Sequence, residues 1–361
     1  MPDLDFAIVD PHFHHWDPLT TPRLVSPFAR TLHRWPRAYE WVASVVMPRS
    51  VKDFLGGSPS MLYPYLPGHY AQDAAGLRID TVVHVEAGWE QRGKLGVVGE
   101  TRWLEQLDFE RSGRRLGAIV GHADLRGADV DDVLAAHQAA SERLRGIRQK
   151  AAHHPDRGVL SFCDVPNLYR DAAFLRGFEK VVARRLRFDA WVYSHQIPDV
   201  VELARRFPEA RIVLDHMGTP AGVAGPVGKR GGVGATGQDR KRIFETWRED
   251  LARLAEHKQV HVKLSGLGMP VHGFDFHRRP SPPSVDELAD AYRPFIGHAL
   301  DVFGTERAFF ASNFPMDKPS APLAHFFGAY LELAKERGAE APRALLRENA
   351  LRFYACVDVR T

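Results

Sequence analysis

Eight short runs rich in β-branched and aromatic residues recur along the chain, and stretches of helical periodicity separate them. This alternation is typical of a parallel sheet whose strands are joined by helices. Eight strands are the number that closes a (β/α)8 barrel, whereas a doubly wound sheet usually has fewer strands and a glycine-rich nucleotide turn. We therefore predict an α/β fold, a single (β/α)8 TIM-barrel domain over residues 1–361. Its strands are predicted at 6–10, 80–85, 116–121, 144–148, 188–193, 211–214, 260–264 and 308–311.

Two long connections interrupt the repeat, at residues 17–70 and 218–238. Each follows a predicted strand and so lies on the face where such barrels carry their active sites, and we predict that they form a lid. The aromatic residues of the first, such as Trp35, Tyr39 and Tyr65, are candidates for covering a ring-shaped substrate. Helices are predicted at 101–111, 130–143, 172–185, 200–206, 240–257, 285–302, 322–337 and 342–354.

Composition narrows the function classes. Lys and Arg exceed Asp and Glu by 48 − 45, a net charge of +3 without a basic cluster, which does not indicate nucleic-acid binding. No apolar run reaches the ~20 residues of a membrane helix, and the start of the chain lacks a signal-peptide pattern. The two cysteines have no metal-binding spacing. We expect a cytoplasmic enzyme with a small-molecule substrate and no membrane or nucleic-acid partner, and a homo-oligomer is compatible with the sequence.

Histidine is abundant, with 18 residues, and several histidines stand where predicted strands end. His12 and His14 follow the first strand, and because alternate residues of an extended segment share a face, both point into the barrel mouth with Asp10. The carboxyl ends of all barrel strands meet at one face, and burying many polar groups there without a function is costly. Other side chains capable of chemistry at these ends are His84, Glu86, Arg148, His195, His216, Lys263 and Asn313.

Four motifs, in chain order, resemble those of the amidohydrolase-related TIM-barrel proteins. They are DPHFHHWD at 10–17, RGIRQ at 145–149, LDHMG at 214–218 and ASNFP at 311–315. The branch with sugar lactonases and 2-pyrone-4,6-dicarboxylate lactonase looks most similar. The resemblance covers most of the chain and implies a lactonase-like hydrolase of the amidohydrolase superfamily, with His12 and His14 as the strand-one pair, His195 from strand five and His216 from strand six.

Residue 313 departs from the family pattern. Family members usually have an aspartate there, which binds a metal or activates water, and the amide of Asn313 cannot accept a proton near neutral pH. Asp317, four residues further on, is the foremost candidate for the base. His195 and His216 are the alternatives.

The same resemblance raises the question of a metal. Zinc hydrolases typically supply three protein ligands and keep one position for water, and His12, His14 and His195 suffice in number for Zn or Mn. Asn313 removes a carboxylate charge that would hold the ion, and lactonases of this branch resemble enzymes that work without metal. The sequence therefore leaves open one divalent metal or none.

For a lactone, water attacks the carbonyl while a base accepts its proton and fixed donors stabilise the oxyanion. His12 and His14, or a metal that they hold, would polarise that carbonyl. Arg148 is predicted to bind a substrate carboxylate, because its planar guanidinium can form two parallel hydrogen bonds. Further candidates are Lys263 for the same anion, and His84 and Glu86 for the pocket wall.

The sequence is also compatible with two other functions. One is a metal-dependent decarboxylase or hydratase of the same superfamily, acting on an intermediate of aromatic degradation. The other is a barrel that only binds a small anion, which Asn313 in place of the aspartate would explain. Metal content separates the first alternative from a lactonase, and ligand-induced stabilisation without turnover identifies the second.

Overall fold

The computed structural model describes residues 4–356, and eight parallel strands form one sheet within them. Each strand pairs with the next strand in sequence. The strands are β1 Ile8–Phe13, β2 Ile79–Val85, β3 Arg115–His122, β4 Leu144–Arg148, β5 Arg187–Ala190, β6 Arg211–Leu214, β7 Val260–Leu264 and β8 Ala308–Phe310. All eight predicted strands are confirmed. The first differs most in its bounds, because its pairing with β2 continues through the histidine motif to Phe13.

The barrel closes between β1 and the segment that follows β8. Phe13 and Phe314 form a parallel bridge. The His14 N–H donates to the Phe314 carbonyl at 2.8 Å, and the Asn313 N–H donates to the His12 carbonyl at 2.8 Å. Asn313 has a φ of 55°, in the left-handed region that Asn tolerates better than most residues. The closing seam therefore holds the backbones of His12, His14 and Asn313 against one another.

Helices surround the sheet, and within residues 4–356 none is long and apolar enough to cross a membrane. They are α1 Ser26–Leu32, α2 Pro36–Val46, α3 Arg49–Phe54, α4 Pro67–Asp73, α5 Val98–Leu104, α6 Val130–Ala140, α7 Ala172–Ala183, α8 Ile197–Arg206, α9 Gly237–Ala255, α10 Val285–Phe303, α11 Leu323–Lys335, α12 Ala341–Arg343 and α13 Asn349–Tyr354. The predicted helix at 101–111 is wrong in its second half, because α5 ends at Leu104. The predicted helix at 342–354 is divided by a π-helical turn, Ala344–Glu348.

The first long connection, 17–70, is largely helical. It contains α1, α2, α3 and the start of α4. Pro27, Pro36 and Pro67 lie in the first turns of α1, α2 and α4. A proline there costs no hydrogen bond, because the first backbone N–H groups of a helix have no partner within it. Prolines that suggest an irregular loop in the sequence are therefore helix starts in the structure.

The interior of the barrel is filled in two layers. The lower layer is apolar: side chains of several strands, such as Val83, Val120 and Phe309, pack against Phe353 and Tyr354 of α13, which closes the amino-terminal end. Residues that are paired across neighbouring strands point to the same face of the sheet. Asp189 is paired with Val213 and Lys263 with Phe309, so both charged side chains point into the barrel with the residues of this layer. Charged side chains thus occupy the centre of the barrel above its apolar base.

The packing of α7 against the sheet can be tested by its effect on stability. Phe178 of α7 is fully buried, and its ring lies 5.0 Å from that of Phe188 on β5 and 4.9 Å from that of Phe207. Phe178→Ala should cost about 3–5 kcal/mol of unfolding free energy, because it leaves a cavity between α7 and the sheet. Phe28→Ala, at a ring that is 44% exposed on α1, is the matched control and should change little. Equal shifts of the two thermal midpoints would contradict this packing.

Candidate active site

A cavity of about 200 Å³ opens at the carboxyl ends of the strands. Six polar residues at or just after the ends of strands form what we call its floor: His14, Glu86, Arg148, Lys150, His216 and Asn313. The walls are apolar and consist of Trp16, Val51, Phe54, Leu55, Met61, Ala87, Leu160, Phe162, Trp191, Met269 and Met316. A neighbouring cavity of about 250 Å³, between α3 and residues 226–231, contains none of the floor residues. We therefore place the candidate active site in the smaller cavity.

The first long connection covers this cavity, through α3 and Met61. The aromatic residues predicted to cover the substrate do not line it: Trp35 is 62% exposed, while Tyr39 and Tyr65 are buried elsewhere. The second connection, 218–238, packs instead against the segments after β4 and β7, and the Lys229 N–H donates to Asp156 Oδ1 at 2.9 Å. No described residue of 218–238 lines the cavity. Only the first connection therefore lies where a lid was predicted.

His14 has one ring nitrogen committed and one available. Its Nδ1 lies 2.7 Å from the Val85 carbonyl oxygen, and because a carbonyl can only accept, Nδ1 carries the ring proton. The Nε2 lone pair is then free, and the side chain lines the cavity. Burial, together with the charge of Arg148, lowers the pKa of His14 well below its usual value. His14 therefore presents a neutral, proton-accepting imidazole at neutral pH.

His216 follows β6 and also lines the cavity. Its Nδ1 lies 2.9 Å from the Ser265 hydroxyl, and burial lowers its pKa to about 3. Gly266 has a φ of 75°, and a Cβ at this position would lie 2.6 Å from the His216 ring. Only glycine lets the segment after β7 approach the imidazole this closely.

Arg148 is held rigidly at the end of β4. Its Nε donates to Glu86 Oε1 at 2.8 Å, and its Nη2 donates to the Glu86 carbonyl at 2.8 Å. Glu86 Oε1 also pairs with Lys150 Nζ at 3.1 Å. Burial alone would raise the pKa of Glu86, but Lys150 and Arg148 outweigh it and hold that pKa well below the usual value. One carboxylate of the floor thus pairs with two cations, Arg148 and Lys150.

Beneath the floor lies a group of fully buried charges, which we call the internal ion cluster: His12, Asp189, Asp215 and Lys263. The Lys263 ammonium lies 2.5 Å from Asp189 Oδ2, 3.0 Å from Asp215 Oδ1 and 3.0 Å from His12 Nδ1. The Tyr354 hydroxyl donates to Asp189 Oδ2 at 2.8 Å. Burial would raise the pKa of Asp215, but Lys263 and His12 hold it well below its usual value.

The cluster reaches the floor through Arg148 and His12. Arg148 Nη1 lies 3.3 Å from Asp215 Oδ2 and 3.4 Å from His12 Nε2. The ring centroid of His12 is 5.0 Å from that of His14 and 4.5 Å from that of His216. His12 itself is fully buried and lies directly behind the cavity surface. Lys263 is likewise absent from that surface, which corrects the expectation that it binds a substrate anion.

Asn313 and Asp317 form a second buried pair. Asn313 Nδ2 donates to Asp317 Oδ1 at 2.7 Å, and the Gly268 N–H donates to Asp317 Oδ2 at 3.1 Å. Asn313 lines the cavity, whereas Asp317 is fully buried behind it. The expectation that Asp317 reaches the substrate as the base is therefore corrected, because Asn313 stands between its carboxyl group and the cavity. Its contact with Asn313 makes it an orienting residue.

His195 does not join His12 and His14. Strand β5 ends at Ala190, and the turn Ser194–Gln196 leaves the His195 ring exposed, 5.3 Å from that of His154. The proposed ligand set of His12, His14 and His195 is therefore not assembled. The polar side chain that points from β5 into the barrel is that of Asp189.

His84 and Asp10 also lie away from the cavity. His84 Nδ1 accepts from the His15 N–H at 3.2 Å, and its Nε2 lies 3.7 Å from Glu100 on α5, so it packs behind β2 and not in the pocket wall. Asp10 accepts from the Ser312 backbone at 2.9 Å and from the Tyr70 hydroxyl at 2.6 Å. The expectation that Asp10 shares the barrel mouth with His12 is corrected, because the backbone pairing is irregular between Asp10 and Phe13.

Two site residues were missed in the sequence, Lys150 and Asp189, and Asp215 was noted at the end of strand six without a role. Asp189 and Asp215 could have been found, since an acidic residue within or directly after an apolar strand is costly to bury unless it is paired. Lys150 lies two residues after Arg148, and no feature of the sequence around it indicates that it belongs to the site.

One group of described residues has the spacing to hold a divalent metal: His12, Asp215 and His216, with one ligand atom from each lying within 4.8 Å of the others. It shares only His12 with the predicted ligand set.

The ligand atoms of His12 and Asp215 are already engaged. His12 Nδ1 and Asp215 Oδ1 each lie 3.0 Å from the Lys263 ammonium, so His12 Nδ1 accepts from the lysine and Nε2 carries the ring proton. Asp215 Oδ2 accepts from Arg148 Nη1 at 3.3 Å. A divalent ion at either place would stand beside a fixed positive charge in a buried environment, where like charges repel strongly. The residues present do not fit a metal while Lys263 and Arg148 hold these positions.

Asp317 generates a pH prediction. Burial raises its folded-state pKa to about 8, above the 3.8 of an exposed aspartate, so its stabilising contribution is full below pH 3.8 and is lost as the pH rises toward 8. The thermal midpoint of the wild type should therefore fall from pH 5 to 8 relative to that of Asp317→Asn, which does not titrate. Between these pH values, the difference in unfolding free energy between the two proteins should change by up to about 1.4 kcal/mol per pH unit. Parallel pH profiles of the two proteins would contradict the raised pKa.

Sequence comparison with known proteins is consistent with this architecture. Residues 9–356 match the amidohydrolase family. The chain is 30% identical to an uncharacterized protein of Sinorhizobium fredii over 97% of this chain and 99% of that protein. It is 28% identical to an L-fucono-1,5-lactonase of Burkholderia multivorans over 88% of this chain and 90% of that protein.

Two solved structures share the fold. A zinc-bound amidohydrolase of Burkholderia multivorans superposes with a TM-score of 0.69 at 24% identity, covering 98% of this chain and 100% of that chain. A proposed 2-pyrone-4,6-dicarboxylic acid hydrolase of Pseudomonas putida gives a TM-score of 0.57 at 16% identity, covering 98% of each chain. The resemblance seen in the sequence motifs is confirmed, and the chain belongs to the amidohydrolase family, as a hydrolase built on a (β/α)8 barrel.

Proposed function

We propose that the protein hydrolyses a small lactone in the cavity above the internal ion cluster. The observation that carries this proposal is the tautomer of His14, whose Nδ1 is committed to the Val85 carbonyl and whose Nε2 is available to a water molecule in the cavity. A neutral imidazole held by a backbone carbonyl is a common form of general base. The similarity to an L-fucono-1,5-lactonase supports the same class of reaction.

In the proposed reaction, a water molecule attacks the ester carbonyl carbon while His14 Nε2 accepts its proton. The carbonyl electrons move to the oxygen, and the fixed charges of Arg148 and Lys150 stabilise the oxyanion. When the tetrahedral intermediate collapses, the ring C–O bond breaks and the His14 imidazolium returns its proton to the leaving oxygen. The product is an open-chain hydroxy acid, and water is the only co-reactant.

The Lys150 ammonium on the floor also favours a substrate that carries a carboxylate. Arg148 was predicted to bind this group, but Glu86 occupies its two parallel donors. Lys150 is a better candidate, because it lines the cavity, is 22% exposed and shares its one described carboxylate, Glu86, with Arg148. We therefore assign a substrate carboxylate to Lys150.

The walls favour a substrate with an apolar body. Eleven of the seventeen lining residues are apolar, and Phe54, Phe162 and Trp191 form an aromatic cluster with ring centroids 4.5–6.3 Å apart. Sugar hydroxyls facing these walls would lose their hydrogen bonds to water, at about 1–3 kcal/mol each. We therefore propose an alkyl- or aryl-substituted lactone and not a polyhydroxylated one.

His14 provides the main test. His14→Ala should lower kcat/KM for a phenyl- or alkyl-substituted δ-lactone by about 10²–10⁴, because the proton acceptor is lost. His195→Ala is the matched control, since it removes an exposed imidazole outside the cavity, and it should leave turnover nearly unchanged. Rates are measured by proton release with a pH indicator. Retained activity in His14→Ala would sink the proposal, and thermal stabilisation by small carboxylates without any turnover would indicate the binding-only alternative.

Lys150 tests the substrate charge. Lys150→Met should reduce kcat/KM roughly 10–100-fold more for a carboxylate-bearing lactone than for its uncharged analogue, because a charge-assisted hydrogen bond contributes about 1.5–3 kcal/mol. The uncharged lactone serves as the internal control for any loss of oxyanion stabilisation. An identical decrease for both substrates would show that Lys150 does not bind the carboxylate.

A metal-dependent decarboxylase or hydratase, the alternative considered from the sequence, would depend on an ion for which the donors of His12 and Asp215 are not free. Assays of carbon dioxide release from aromatic acids separate it from lactone hydrolysis.

A further inference from the structure

Three buried acceptors converge on one cation inside the barrel. The Lys263 ammonium, from β7, lies between His12 Nδ1 at 3.0 Å, Asp215 Oδ1 at 3.0 Å and Asp189 Oδ2 at 2.5 Å. All four side chains are fully buried. An ammonium group can only donate hydrogen bonds, so His12 Nδ1 is the acceptor and directs its lone pair at the lysine, as it would at a metal ion.

The spacing of two of these acceptors matches that of zinc ligands. His12 Nδ1 and Asp215 Oδ1 are 3.4 Å apart. Two zinc–ligand bonds of about 2.1 Å at a tetrahedral angle span about 3.4 Å. An imidazole nitrogen and carboxylate oxygens are also ligands that zinc prefers. His12 and Asp215 therefore have the spacing of two ligands of one zinc ion, and the chain places its own lysine between them and Asp189.

The charge balance explains why both cations cannot be present. Asp189 and Asp215 contribute two formal negative charges, while Lys263 and Arg148 contribute two positive charges. A divalent ion added to this set would be uncompensated in a buried environment, which is strongly unfavourable. Without Lys263 the two carboxylates would face only Arg148, and a cation would be attracted to the vacated space.

We propose that Lys263 is a built-in cation in a latent metal position, and that shortening its side chain converts the position into a divalent-metal site. Lys263 does not line the cavity and is therefore a positioning residue. It acts through Asp215, which accepts from Arg148 Nη1 at 3.3 Å, and through His12, whose ring centroid lies 5.0 Å from that of His14. The proposal concerns the cluster alone and does not depend on the substrate.

The test is zinc titration of chelator-treated Lys263→Ala, followed by calorimetry and thermal shift. This variant should bind one equivalent of Zn²⁺ more than the wild type and should gain thermal stability on binding. Lys150→Ala removes the same charge from the cavity floor and is the matched control, for which no additional equivalent is expected. Methylammonium, which replaces the lost group, should also stabilise Lys263→Ala and compete with zinc.

Two results would overturn the proposal: a wild type that binds one zinc at His12 and Asp215 with Lys263 present, or a folded Lys263→Ala that binds no more zinc than the wild type. Lys263→Ala removes the ammonium that Asp189 and Asp215 share, which leaves Asp215 with Arg148 and Asp189 with the Tyr354 hydroxyl, and the variant could fail to fold. In that case it is refolded with and without Zn²⁺ or methylammonium. Recovery of folded protein by Zn²⁺ supports the proposal, and recovery by methylammonium alone or by neither cation overturns it.

Discussion

The contact on which the site depends most is the one between the Lys263 ammonium and the three acceptors that surround it in the barrel centre. Charged groups at this depth are tolerated only when they are paired, and removing one partner of such a pair typically costs several kcal/mol. Lys263 connects β7 to β5, β6 and β1 through Asp189, Asp215 and His12. The internal ion cluster thereby ties half of the strands together directly beneath the cavity.

The position of the floor follows from this cluster and from the closing seam of the barrel. Asp215 and Glu86 hold Arg148 from two sides, so its guanidinium is immobilised before any substrate arrives. The seam between β1 and the segment after β8 fixes the backbones of His14 and Asn313. A site prepared in this way does not have to reorganise its dipoles during the reaction, which is the main source of electrostatic catalysis. The α3 helix supplies an apolar wall over the polar floor.

Much of this architecture was predictable from the sequence, because strand periodicity and apolar composition are local properties. The bounds of β4, β6 and β7 were correct, and His14, Glu86, Arg148, His216 and Asn313 were correctly expected at the carboxyl face. The helices within 17–70 were not predicted, since prolines that start helices look the same in sequence as prolines that break them.

The errors at the site have a different origin. His195 and Asp317 were selected by their order in the chain, and chain order does not determine which way a side chain points after a strand has ended. A turn exposes His195, and the left-handed conformation at Asn313 places Asn313, and not Asp317, at the cavity. The roles of Asp189 and Lys263 depend on an ion pair between two strands that are distant in sequence. Such a contact becomes visible only when β5 and β7 are placed in the barrel.

Both proposals, a lysine in place of a metal and His14 as the proton acceptor for hydrolysis, imply an enzyme that works without a divalent ion. The most direct measurement is the initial rate of lactone hydrolysis by chelator-treated wild-type protein whose metal content is determined by elemental analysis of the same sample. Metal-free protein should turn over at the full rate, and added zinc or manganese should not increase that rate. Activity that appears only with a stoichiometric divalent metal would contradict this expectation.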